Sequence, residues 1–383
     1  MKIALDKEEL TLRIKKNFIR LSEPYYSIEE VFSPKEYDWQ GDKEGRALLS
    51  FVCHAEMGGE KIPCMDRLVE KIPSKTNKYF FFGDIQKDYI HEQQLSEHSW
   101  YLRGLLAYYE LYGNSDALKF AQSTVENLYL PTKGKFCGYP TDFIKKGGDV
   151  SGNSTEIVNG WLLSTDTGCA FMSIDGLSHY YAVTRDERVL KLLYEMRETF
   201  EKIDKIAIKA QTHCCLTAAR GFIRIYNITS DKMFLNSAKK LWDLYATHGM
   251  TYTYQNFNWW GKGDTWAEPC AIVDSLILAG ELFKITNDET YRVMAARIWH
   301  NGFSAMQVGN GGAGPTTTVS DTEPILKTAM YEAPFCCTMR LAEGLLYAKR
   351  NKEILYAVTD DVKKDNVGRY MLGDIIYAEV TCS

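Results

Sequence analysis

Along most of the chain apolar residues return every three or four positions, the spacing that lines one face of a helix. Period-two alternation is scarce before the tail, where 353–358 and 374–380 read as extended. The first periodic run predicts a helix over about 7–21, followed by an irregular stretch around Ser33-Pro34. Beyond it one pattern repeats: an aromatic residue near a helix end, threonine three positions later, and aspartate two after that. It occurs at Tyr181/Thr184/Asp186, Tyr226/Thr229/Asp231 and Phe283/Thr286/Asp288, with a looser copy at Tyr109/Tyr112/Asn114. Asp or Asn ahead of a helix accepts hydrogen bonds from the N–H groups left open in its first turn. Each copy therefore predicts a helix, a tight turn and an antiparallel second helix.

Six first helices are expected, over about 43–57, 96–112, 167–183, 212–228, 269–285 and 335–350. Five partners are expected near 64–71, 116–128, 186–200, 231–247 and 288–303, and the N-terminal helix supplies the twelfth. The copies are too unevenly spaced for a short solenoid repeat but suit hairpins with unequal return loops. The predicted fold is all-α, an (α/α)6 toroid of six helical hairpins with long loops on one rim. Residues 1–40 form an N-terminal helix and lead-in packing on the barrel, 41–350 the barrel, and 351–383 a tail with short strands.

In such a toroid the inner helices start from one rim, so their first residues share a cavity. Those starts carry His98, the stretch from Asp166 to Cys169, His213, Glu268 with Cys270, and Cys336 with Cys337. Long loops precede them (131–165, 248–265 and 309–334), and such loops on a rigid scaffold usually carry function. The glycine-rich run from Gly309 to Pro315 is no phosphate-binding loop, since it lacks the Lys-Ser/Thr ending and a preceding strand.

Two of these starts have the same form, Glu268-Pro269-Cys270 and Pro334-Phe335-Cys336-Cys337. Proline is favoured at the first helical position, which places all three cysteines in or just before a first turn, where the helix dipole favours thiolate. Glu268, Cys270, Cys336 and Cys337 make a complete tetrahedral set for zinc. The alternative is that these cysteines pack as small apolar residues, the reading preferred for the second pair, Cys214-Cys215. His98 and His213 are either core histidines or hydrogen-bond groups for a sugar. Asp166 is an N-cap or a substrate contact. Trp259, Trp260 and Trp266 either stack on a sugar ring or pin their loop to the rim.

Composition narrows the partners. A net charge of -5 with no basic run excludes nucleic acid, and no apolar stretch is long enough for a membrane span. The charged, amphipathic N-terminus is not a signal peptide. Ten cysteines in that setting suggest reduced thiols and a cytoplasmic location. The 24 tyrosines and 8 tryptophans suit a concave surface for sugar rings.

The Glu268-Pro269-Cys270 and Cys336-Cys337 motifs resemble the metal motif of glycoside hydrolase family 127, the retaining β-L-arabinofuranosidases. Glu97-His98-Ser99-Trp100-Tyr101, Thr212-His213-Cys214-Cys215 and Tyr226-Asn227-Ile228-Thr229-Ser230-Asp231 resemble its inner-helix segments, so the resemblance spans roughly residues 40–350. It implies Zn2+ held by Glu268, Cys270, Cys336 and Cys337, with Cys336 also the nucleophile on the anomeric carbon of a small sugar or oligosaccharide. A separate glutamate is the family's acid/base, a short way upstream of Glu-x-Cys. Here no carboxylate lies between Gly249 and Gly263, so Asp264 and Glu332 are the acid/base candidates. The β-sandwich domains that usually follow the barrel are not in this sequence. A sugar epimerase or lyase on the same toroid, relying on His98 and His213, is the alternative enzyme. A carbohydrate-binding protein with structural zinc is the non-catalytic one. A homodimer is compatible with the sequence.

Overall fold

The structure, a computed structural model, describes residues 2–3, 5–33, 39–141, 152–261, 265–318, 331–358, 362–364, 370–372 and 375–376. Inner helices α2 (Asp42–Glu56), α4 (Glu92–Tyr112), α6 (Ser173–Thr184), α8 (Thr212–Thr229), α10 (Pro269–Thr286) and α12 (Met339–Arg350) each pack on the next. The last returns to the first, which closes the (α/α)6 ring. Outside them run α3 (Met65–Lys75), α5 (Ser115–Thr124), α7 (Glu187–Lys202), α9 (Lys232–Leu244) and α11 (Glu289–Arg297). The sixth outer position is filled by the N-terminal helix α1 (Lys7–Leu21), which packs on α12.

The two rings differ as their sequences require. Helix α7 buries Val189, Leu192, Leu193, Met196 and Phe200, one stripe at helical spacing. Helix α10 buries every residue from Pro269 to Gly280, because it meets neighbours on all sides. Close crossings are made with glycine. A Cβ on Gly45 would run into the backbone of Trp100 and Tyr101, and one on Gly104 would meet the Gly45 carbonyl oxygen at 2.5 Å.

The aromatic–Thr–Asp repeat now has a mechanism. Each aromatic carbonyl accepts from the N–H four residues on, as Tyr181 does from Arg185 at 2.9 Å, Tyr226 from Ser230 at 2.7 Å and Phe283 from Asn287 at 2.7 Å. Those donating residues are left-handed, with φ of 57°, 60° and 56°, the conformation that ends a helix. Each threonine hydroxyl donates back to a helix carbonyl and accepts the aspartate N–H. Asp186, Asp231 and Asp288 then cap the next helix through the N–H two residues ahead, each at 2.9 Å.

Short strands went unread in the sequence, being too brief for alternation to register. In the loop ahead of α6, β3 (Ser154–Val158) pairs with β4 (Trp161–Ser164), which also pairs with β2 (Ile90–His91). Across the rim β5 (Trp266–Ala267) pairs with β6 (Thr316–Thr317). In the tail only Ala357–Val358 of the first extended stretch is a strand, paired with Lys2–Ile3. Of the second, Ile375–Ile376 is a strand and 377–380 lie outside the described residues. Leu355 and Tyr356 dock on the barrel by accepting from His300 and Arg292 at 3.1 and 2.8 Å.

Candidate metal centre and active site

Pro269 opens α10, and the residue ahead of it, Glu268, does not use its carboxylate to cap the helix. The loop around it is fixed instead by β5–β6 and by the Glu268 N–H donating to Asn256 at 3.1 Å. Pro334 opens a kinked turn, Pro334–Thr338, ahead of α12, with Phe335 off helical geometry at φ -90° and ψ 19°. The kink sets Cys336 and Cys337 on the rim before the regular helix resumes.

The two starts face each other. One donor atom from each of Glu268, Cys270, Cys336 and Cys337 lies within 4.8 Å of all the others. Cys270 and Cys336 sulfurs are 3.3 Å apart, Cys336 and Cys337 sulfurs 3.9 Å, and Cys336 sulfur stands 3.9 Å from Glu268 Oε1. Tetrahedral zinc with bonds of about 2.3 Å to sulfur requires sulfur–sulfur edges of about 3.8 Å. The donor set and its spacing fit such an ion with small adjustments.

Four groups that each become negative on ionising cannot all ionise at this distance without a cation. Cys336 takes the charge: hydrogen bonds from the Cys270 and Cys337 thiols pull it down to about 5, with help from the Arg46 guanidinium. Cys337 is pushed well up by its hydrogen bonding with Cys270 and with Cys336, and Cys270 is raised by burial and by Cys336. Glu268 is pushed well above the carboxylate range by burial and by the charges of Cys270 and Asp166. A divalent ion would relieve this competition. Cys270 and Cys337 are buried while Cys336 and Glu268 keep some exposure.

Beneath the donors a buried ionic network fills the barrel axis. Asp274, one turn after Cys270, binds Arg220, Arg340 at 2.5 Å and the Thr217 hydroxyl at 2.7 Å. Although burial opposes it, the guanidiniums of Arg340 and Arg220 hold Asp274 far below the usual carboxylate range. Glu343 binds Arg103 at 2.7 Å, Arg220 and Arg340. Sequence reasoning missed these residues. Their signal is a charged side chain one helical turn inside an apolar inner helix, four positions after Cys270 and four after Cys336.

The other candidates separate. His213 is buried, with Nδ1 3.6 Å from Glu268 Oε1 and Nε2 3.3 Å from Asp274, so it supports the donor carboxylate from behind. His98 is fully buried, and both ring nitrogens are occupied, by the Gln94 carbonyl at 2.7 Å and the Phe82 N–H at 2.9 Å. It is a core histidine, with nothing left for a sugar. Trp259 and Trp260 are likewise fully buried and pin their loop; a ring with no exposed face cannot stack on substrate. Trp266 is half-buried, edge-on to Trp259 at 4.9 Å. Asp166 accepts from Gln211 at 3.0 Å, and its charge reaches Glu268.

Glu332 is not placed to give a proton. Arg20, Asn310 at 2.9 Å and the Thr338 hydroxyl at 3.0 Å all donate to it, and these contacts hold it below its ordinary pKa against burial. Asp264 lies outside the described residues. Cys214 packs in the core, its thiol on the Gly168 carbonyl at 2.6 Å. Tyr331, which sequence reasoning did not single out, is 59% exposed and feels the charges of Cys337, Cys336 and Glu268. No helix among the described residues is long and apolar enough to cross a membrane.

Residues 137–349 match the β-L-arabinofuranosidase GH127 catalytic domain family. No curated protein sequence matches the chain. Among solved structures, a GH127 β-arabinofuranosidase aligns with a TM-score of 0.58 at 15% identity, covering 93% of this chain and 58% of that one. A GH127 β-L-arabinofuranosidase from Geobacillus stearothermophilus T6 aligns at 0.55 and 13%, covering 94% and 63%. This chain thus spans about three fifths of either enzyme. Cellobiose 2-epimerase from Bacillus thermoamylovorans B4167 aligns at 0.57 and 13%, covering 81% and 88%. At these identities the likeness is one of fold.

Proposed function

The chain belongs to the GH127 β-L-arabinofuranosidase catalytic domain family, and from that premise we propose that it is a retaining glycosidase acting on a small furanoside or short oligosaccharide through a metal-bound cysteine. Glu268, Cys270, Cys336 and Cys337 would hold zinc, which when bound would keep the thiols ionised at neutral pH. Cys336 is the nucleophile. Its sulfur forms a bond to the anomeric carbon as the bond to the leaving oxygen breaks, and that oxygen takes a proton from a carboxylic acid. Water then attacks the same carbon, gives its proton to the carboxylate, and the carbon–sulfur pair returns to Cys336.

We assign the proton transfers to Asp166, a described carboxylate outside the donor set whose charge acts on Glu268. Tyr331, exposed beside the thiols, offers a ring for the sugar to stack on.

One observation carries the reading: four donors converge within 4.8 Å, and the described thiol that keeps exposure among them is Cys336. A closed structural site would give the nucleophile position no such opening. An epimerase on paired histidines loses its pair, since both nitrogens of His98 are occupied.

The test is intact-protein mass spectrometry after mixing metal-loaded protein with an aryl β-L-arabinofuranoside. A pentosyl adduct mapped to Cys336, absent in Cys336→Ser, is expected. Turnover of this and related furanosides unchanged in Cys336→Ser would overturn it.

A further inference from the structure

Arg46 sits inside the barrel with its side chain 4% exposed, and each nitrogen of its guanidinium has a task. Nε donates to Asp42 Oδ1 at 2.6 Å and one terminal nitrogen to Oδ2 at 3.0 Å, a two-pronged pairing that fixes the plane of the group. The remaining terminal nitrogen points at Cys270 sulfur, 3.3 Å away. The guanidinium carbon also lies 4.2 Å from the centroid of the Trp100 ring, which in turn stacks on His213 at 5.7 Å and 21°. Asp42 and Arg46 are one turn apart on α2, so the pair would be complete without the thiol. The contact with sulfur is additional.

From this geometry we infer that Arg46 is a positioning residue that separates the three thiols into roles, capping Cys270 as a fixed ligand and leaving Cys336 free to react; the inference rests on the metal-site reading above. Three thiolates and a carboxylate around a divalent ion would leave two excess negative charges in a largely buried pocket, and buried charge needs a partner. Asp42 offsets the net charge of Arg46, so Cys270 meets an oriented dipole whose positive end donates a hydrogen bond. That bond draws electron density from one sulfur only. The second role follows from burial: Cys270 is fully enclosed and takes the Arg46 hydrogen bond, while Cys336 keeps some exposure and feels the guanidinium only through its charge. Lysine would not substitute, because a point charge cannot hold two carboxylate oxygens and a sulfur in one plane.

The experiment uses cobalt(II) in place of zinc and reads the sulfur-to-metal charge-transfer bands of wild type, Arg46→Met, Arg46→Lys and Asp42→Asn. Removing a hydrogen bond raises the energy of the sulfur electrons, so the bands of Arg46→Met shift to longer wavelength. Arg46→Lys, which keeps a cation but loses the fork, shifts the same way by less and decides the matter if Arg46→Met does not fold, while Asp42→Asn, which removes the offset to the Arg46 charge, shifts the bands to shorter wavelength. Bands at wild-type positions in the folded variants would overturn the inference while leaving the metal site standing. Wild-type protein that binds cobalt without thiolate bands would overturn the metal site itself.

Discussion

Arg20 of the N-terminal helix holds both carboxylate oxygens of Glu332, with Nε 2.9 Å from Oε1 and a terminal nitrogen 3.1 Å from Oε2. The pair joins the first helix of the chain to the segment that carries Cys336. Other contacts run beside it. Asn17 donates to the Thr338 carbonyl at 3.1 Å, Tyr26 donates to the Pro334 carbonyl at 2.8 Å, and Phe335 stacks on Tyr25 at 5.2 Å. The kinked turn that carries Cys336 is thus held from outside.

Glu332 is therefore expected to behave as a brace. Arg20→Met and Glu332→Gln should each lower stability and metal retention to a similar degree. A double-mutant cycle in urea should give a coupling of about 1.5–3 kcal/mol for this partly buried charged hydrogen bond. If Glu332→Gln abolished turnover while Arg20→Met left it intact, Glu332 would be the acid after all.

For Asp166 the expected signature is dependence on the leaving group. Asp166→Asn should lose about 10²–10⁴-fold in kcat on alkyl furanosides, whose leaving oxygen needs a proton. Activated aryl furanosides should lose far less in the first step, and added azide should restore product formation. Equal losses on both substrates would move the acid elsewhere, with Asp264 the next residue to replace.

Stability should fall as the solution is made acidic. Burial lowers His54, His98 and His179 to about 4, from 6.5. Between those values the unfolded chain binds protons that the native state refuses, so stability drops with pH by up to about 1.4 kcal/mol per unit for each histidine. Glu44, which burial pushes up to about 7, works in the opposite sense below that pH and offsets part of the loss. Urea midpoints at pH 7, 6 and 5 should decline, and His98→Gln should flatten the slope. A midpoint that held constant in wild type would contradict the neutral burial of these rings.

The fold was legible because it is written in local chemistry. Each aromatic–Thr–Asp copy specifies a helix stop, a left-handed residue and a cap within a few positions, and none of that depends on distant contacts. The convergence of Glu268, Cys270, Cys336 and Cys337 was legible for the same reason, since proline marks both helix starts. What could not be read is what depends on the third dimension. Trp259 and Trp260 look alike in sequence whether they face a sugar or the core, and only packing decides. His98 has the phase of a rim residue, yet a loop folds back so that the Phe82 N–H occupies it. Arg20 and Glu332 are hundreds of residues apart, and no local pattern pairs them.

X-ray absorption at the zinc edge, on protein purified without added metal and then loaded with one equivalent, tests the centre most directly. Three sulfur neighbours at about 2.3 Å and one oxygen at about 2.0–2.2 Å are predicted, with one sulfur lost in Cys270→Ser. A shell of nitrogen and oxygen alone, or no bound zinc, would contradict it.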